Sequence, residues 1–157
     1  MKKASIYLLS ALSLLVLTLG ACEPEKENDT EKPEIVFQAP MNCDTIRLGE
    51  PFSVRALLSD NLELGSYNID LHNNFDHHGH TTEEEKCDLD AVKSPVNPFI
   101  YQNSFTIDPG LKEFETNISI TIPEGFDTGD YHMTITVIDI TGWSSFKIIG
   151  IKVLESN

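Results

Sequence analysis

The chain has 157 residues, the size of one modest domain, and sets 25 acidic side chains against 11 basic ones for a formal charge of −14 at neutral pH. That balance repels phosphate backbones and anionic head groups, which excludes nucleic acid as a partner and favours cationic ones. With 40% hydrophobic residues there is material for one core, and three cysteines leave one over once a pair has formed.

Lys2 and Lys3 precede an apolar run from Ile6 to Leu19 that only Ser and Thr interrupt. The run is too short, and too soon followed by polar residues, to span a bilayer stably, so residues 1–21 read as a secretory signal peptide. It ends in Leu19-Gly20-Ala21-Cys22, which resembles the lipobox of bacterial lipoproteins. The resemblance implies that Cys22 is lipidated, becomes the first residue of the mature chain and anchors it in the cell envelope. Loss of two lysines with the leader takes the charge to about −16, so the lipid itself must hold the protein to the membrane. Residues 22–33 (CEPEKENDTEKP) are too polar to bury a core and read as a flexible acidic tether. Acidic stretches in this position are similar to those that route Bacteroides-type lipoproteins to the cell surface; surface and periplasmic placements on the outer membrane both stay open.

From Glu34 onward short apolar alternations of period two are punctuated by Pro, Gly, Asp and Asn, the pattern of half-buried strands. Strands are predicted at 34–39, continuing past a kink at Pro40 through 45–48, then at 51–59, 65–72, 99–107, 112–122, 129–138 and 143–154. About seven strands in residues 34–157, with no helical stripe after the leader, predict an all-β fold, a single immunoglobulin-like β-sandwich. Ser59-Asp60-Asn61 before Leu64-Gly65-Ser66-Tyr67, and Gly129-Asp130-Tyr131 closed by Asp139-Ile140-Thr141-Gly142-Trp143, resemble the corners of bacterial immunoglobulin-like and cadherin-like domains. The resemblance covers most of residues 34–154 and specifies fold, not chemistry. By the same analogy Asp60 and Asp139 are calcium ligands, but without strings of alternating aspartates they read first as carboxylates that cap turns.

The residues from His72 to Cys87, HNNFDHHGHTTEEEKC, hold four of the five histidines within nine positions. Tyr67, Ile69 and Leu71 must face the core, which turns His72 outward; Tyr131, Met133, Ile135 and Val137 do the same for His132. In an immunoglobulin-like sandwich these two strands are antiparallel neighbours, so His72 and His132 are expected side by side at one pole, with His77, His78 and His80 in the loop that follows. Imidazoles on a rigid sheet joined by one or two from a loop suit a transition metal, Zn or Cu first. The predicted ligands are His72, His132 and His78 or His80, then Asp76 and His77. Two other readings stay open: solvated histidines that bind nothing, and a pH-responsive or haem-ligating patch for which Phe75 and Phe99 would supply an apolar wall. The segment also resembles one found in small Bacteroides-type lipoproteins with no assigned activity.

About two dozen residues, 73–98, separate two predicted strands, long for a loop without a task. Glu83, Glu84 and Glu85 within it read as a solvated face. With Cys22 committed to lipid, Cys43 and Cys87 are the natural disulfide in an exported protein, and a thiolate ligand at Cys87 is the alternative. No nucleophile elbow, phosphate loop or HExxH pattern occurs. The expectation is therefore a non-enzymatic, lipid-anchored binding module that holds a metal ion at the pole away from the membrane. Its rivals are a structural or adhesive domain of a surface assembly with a protein partner, and a metal-dependent enzyme.

Overall fold

Alternating apolar side chains fold the chain into two β-sheets that press their inner faces together. The computed structural model describes residues 29–79 and 87–157, and no helix occurs among them. Residues 1–28, with the expected signal peptide, Cys22 and most of the tether, lie outside the described residues. So do residues 80–86, with His80 and Glu83 to Glu85.

Nine strands follow in order: β1 (Glu34–Ala39), β2 (Asp44–Arg47), β3 (Pro51–Ser59), β4 (Leu64–Asn73), β5 (Tyr101–Thr106), β6 (Glu113–Glu115), β7 (Ile118–Thr121), β8 (Gly129–Asp139) and β9 (Ser144–Leu154). One sheet sets β3 between β1 and the β6 and β7 segments; the other runs β2-β9-β8-β4-β5. This is the expected sandwich, and β4 and β8 are the antiparallel neighbours the sequence predicts.

Two predicted strands are each split in two. The strand expected to continue past Pro40 changes sheets there: β1 pairs with β3, whereas β2 runs parallel to β9. The segment predicted at 112–122 is interrupted at Thr116. The Thr116 hydroxyl accepts from the Ala56 amide (2.9 Å) and donates to the Val54 carbonyl (3.3 Å). The Thr116 amide still donates to the Ala56 carbonyl (2.9 Å), but its hydroxyl stands in for a backbone acceptor, and β6 and β7 meet β3 separately.

The core lies where the inner faces meet. Tyr67, Ile69 and Leu71 of β4 and Tyr131, Met133, Ile135 and Val137 of β8 are all buried, opposite Val54, Ala56 and Leu58 of β3. Tyr131 also fixes the entry to β8. Its hydroxyl donates to the Asp127 carbonyl four residues earlier (2.7 Å) and accepts from the Phe99 amide (3.2 Å). This is the tyrosine corner of immunoglobulin-like sandwiches. Gly129 begins the strand at φ +117°, and a Cβ there would stand 3.3 Å from the Phe75 ring, so glycine is required both by conformation and by space.

Cys43 and Cys87 form a disulfide across 44 residues of sequence. It ties residues 87–90 to the β2–β9 edge. Lys152 of β9 reinforces it, donating to the Asp88 carbonyl and the Asp90 carboxylate, both at 2.9 Å.

Candidate metal centre

His72 and His132 face each other directly across the β4–β8 ladder, at the end of β4 where the chain leaves the sheet. The alternation that buries Leu71 and Met133 sends both imidazoles to the outer face. The chain then turns back over that face, because Phe75 is driven into the core. Phe75 is 2% exposed, its ring meets Tyr131 edge to face at 5.4 Å, and Lys93 Nζ lies 4.3 Å from its centroid. With Phe75 anchored, His78 comes down onto the strand histidines. Ring centroids are 5.4 Å apart for His72–His78, 5.1 Å for His78–His132 and 5.8 Å for His72–His132. Each of the three offers a ligand atom within 4.8 Å of the other two.

Two carboxylates set the orientation of two of these rings. His72 Nδ1 donates to Asp70 Oδ1, two residues back on the same face of β4. His78 Nδ1 donates to Asp76 Oδ1 at 2.6 Å, again two residues back. An ionised carboxylate only accepts, so in both rings Nδ1 carries a proton, and Nε2 is the atom turned towards the cluster. That hydrogen bond holds the Asp76 carboxyl below the ordinary carboxylate range.

The two Nε2 atoms face each other at 3.3 Å. Two lone pairs at that distance repel unless a proton or a cation lies between them. The spacing is also the edge of a tetrahedron of nitrogens about 2.0–2.1 Å from a central zinc, which works out at about 3.3–3.4 Å. Carboxylate–histidine pairs of this kind are how proteins fix the tautomer and aim of metal-ligating imidazoles. An all-nitrogen set suits Zn, Cu or Ni far better than Ca or Mg.

Among the described residues the structure therefore brings together three predicted ligands, His72, His78 and His132. Asp76 sits one shell out, spent on orienting His78. His77 is not in the group: it turns at φ +58°, with its amide bonded to the Asn74 carbonyl (3.2 Å). His80 lies outside the described residues. His132, expected on an open face, is only 4% exposed because the His78 segment covers it. The apolar wall proposed for haem is not there, since Phe75 is inside the core and Phe99 packs on Phe126 at 5.2 Å. The disulfide removes Cys87 as a thiolate ligand. Asp70 was missed from sequence, although its spacing from His72 repeats that of Asp76 from His78.

Beside the histidines opens a cleft of about 540 Å³, lined by His77, His78, His132, the Cys43–Cys87 bridge and Lys152. It leaves one side of the cluster accessible to a small ligand.

No curated protein matches the chain. Among solved structures it is similar to the sporulation control protein Spo0M from Bacillus subtilis, at 13% identity and a TM-score of 0.40, over 80% of this chain and 49% of that one. The chain thus spans about half the length of that protein. From residue 20 to residue 154 it matches the model of a family described as a domain of unknown function, DUF4625, and it belongs to that family.

Proposed function

We propose that this protein is a lipid-anchored, extracytoplasmic module that binds a transition metal ion, Zn or Cu, through His72, His78 and His132. The observation that carries the reading is the pair of Nε2 atoms at 3.3 Å, each ring aimed by its own carboxylate, beside a third imidazole from the neighbouring strand. Imidazoles brought together with their rings held by carboxylates are the arrangement that proteins use to hold a metal ion. The disulfide fits an oxidising compartment outside the cytoplasm. Export and anchoring follow from the leader and Cys22, and the outer membrane is the proposed address.

The first described residue, Asp29, lies beside the β8–β9 turn, where the Trp143 indole donates to its carbonyl (3.1 Å). His72 stands at the far end of β4, about 26 Å away along the strand. A chain anchored through residue 22 would thus present its histidines away from the membrane, as metal capture or sensing requires. The cleft gives the bound ion access to a small exchanging ligand, and no catalytic role is assigned to it.

The test is the double variant His72→Ala, His132→Ala. Its affinity for zinc should fall by orders of magnitude while its circular dichroism stays that of the wild type, because both side chains lie on the outer face. Unchanged affinity in a folded double variant contradicts the placement.

A second reading has one observation in its favour. Val92, Val96 and Ile100 are 64, 90 and 65% exposed along the segment leading into β5. Such apolar exposure suits a contact with another protein of a surface assembly. Under that reading the module would be an accessory domain and metal would be incidental.

A further inference from the structure

At the opposite pole a second group of ligand atoms comes together from three distant parts of the chain. Asp29 precedes β1, Asp60 follows β3, and Asp139 ends β8. Their carboxylates each place an oxygen within 4.8 Å of the other two. Asp139 is 4% exposed and Asp29 9%.

Asp60 and Asp139 do cap turns, as the sequence predicts. Asp60 Oδ2 accepts from the Leu62 and Glu63 amides, both at 2.8 Å. Asp139 Oδ1 accepts from the amides of Thr141 (2.7 Å), Gly142 (2.7 Å) and Trp143 (3.0 Å). Capping uses one oxygen of each carboxylate. Asp60 Oδ1 and Asp139 Oδ2 remain, buried and with no hydrogen-bond partner among the described residues. Asp29 completes the set, its Oδ1 accepting from the Glu31 amide (3.1 Å), while the single proton of the Thr141 hydroxyl goes to Asp139 Oδ1 (2.9 Å) with Asp29 Oδ2 farther off at 3.4 Å.

Buried carboxylate oxygens are normally satisfied, and an ionised one in low dielectric needs a hydrogen bond or a counter-charge. Among the described residues no lysine or arginine forms an ion pair with any of these three. Three anions this close, two with a spare buried oxygen, are the arrangement a bound cation stabilises. Because the donors are all oxygen, the cation is a hard one.

We propose that Asp29, Asp60 and Asp139 form a calcium site, independent of the histidine centre, that clamps the segment entering β1 to the turns after β3 and β8. Calcium takes six to eight oxygens in adaptable geometry, whereas magnesium insists on a tight octahedron. Three carboxylates with water or carbonyls in the remaining positions meet the looser demand. Glycine at position 65 lets the strands close beside the site, since a Cβ there would fall 3.0 Å from the Ile138 carbonyl and 3.1 Å from that of Asp139. Calcium would stiffen the join between tether and domain and so fix how the module stands on its anchor.

The chain's one tryptophan, Trp143, donates its indole N–H to Asp29 and reports on the site directly. The experiment is a calcium titration of the purified full-length protein after treatment with a calcium chelator, read by Trp143 fluorescence and by Tm, with magnesium in parallel. The expected result is a saturable fluorescence change with a Kd on the order of 0.1–1 mM, as in extracellular calcium modules, and a Tm that rises with calcium. Magnesium should act more weakly. Asp60→Asn and Asp29→Asn should each weaken calcium at least about tenfold, while His72→Ala, His132→Ala responds like the wild type. Asparagine at 60 can still accept from the two amides, and Asp29 lies outside every strand, so both variants keep the fold. No response in the wild type at about 10 mM calcium, or a response that survives both aspartate substitutions, overturns the proposal.

Discussion

Asp70 sets the orientation in which His72 would serve as a ligand. With its Nδ1 proton committed to that carboxylate, His72 has only Nε2 to offer, and it points at His78 Nε2. Asp70→Ala frees the ring to rotate and leaves either tautomer accessible. Zinc affinity should fall about 10–100-fold with the fold intact, the usual penalty for losing the carboxylate behind a metal-bound histidine. A competition titration checks this, and equal affinity in the variant would make Asp70 a bystander. At this scale much of the site was legible in the sequence: strict alternation around Leu71 and Met133 put His72 and His132 on one face. What was not legible was which loop histidine joins them. That depends on Phe75 folding into the core, and a single aromatic in a polar loop gives no sign of where it will be buried.

At the level of elements, the loop after β4 carries one of the three proposed ligands and is pinned at its far side by the Cys43–Cys87 bridge. Closing a loop of 44 residues restricts the unfolded chain and contributes about 4 kcal/mol in the chain-entropy treatment. The double variant Cys43→Ser, Cys87→Ser should therefore lose up to about 4 kcal/mol in denaturant unfolding. It should also bind zinc more weakly, since residues 87–90 would then be held by Lys152 and by the Asp90 amide on the Asp130 carboxylate, without a covalent tie. A stability unchanged within error would show that the bridge staples nothing. The bridge was readable from cysteine arithmetic and export alone. The two split strands were not: a hydroxyl replacing one backbone acceptor at Thr116 and a change of sheet at Pro40 are tertiary events, invisible to an alternation pattern that runs through both. Asp29 is a similar case. Its neighbours are as polar as any tether, and only contacts with Thr141 and Trp143, more than a hundred residues on, draw it into the domain.

Across the whole molecule, the described residues set two groups of potential ligand atoms at opposite ends of β4, one of nitrogen and one of oxygen, which suit different metals. The strongly acidic composition favours capture of cations at both poles and gives no grip on nucleic acid. Burial of its ring holds the Tyr131 hydroxyl above the usual tyrosine value of 10.0. Hydrogen bonding to Asp90, with the nearby Asp130 carboxylate, raises the Lys152 ammonium above 10.5. Both groups bind their proton more tightly folded than unfolded. Their contribution is complete below about pH 10 and is lost as pH rises through the raised folded values. Stability measured by urea unfolding should thus be level with respect to these two groups at neutral pH and fall above about pH 10. Lys152→Met should flatten part of that fall; an unchanged alkaline slope would remove Lys152 from the account.

We propose the three imidazoles on one face of the sandwich as a metal centre. Its most direct test is the metal content of the wild-type protein, purified without chelators, followed by competition titration with zinc, copper, nickel and iron. One zinc or copper ion per chain, bound with sub-micromolar affinity, is the predicted result. Protein that emerges without metal and binds none of the four more tightly than micromolar would contradict it.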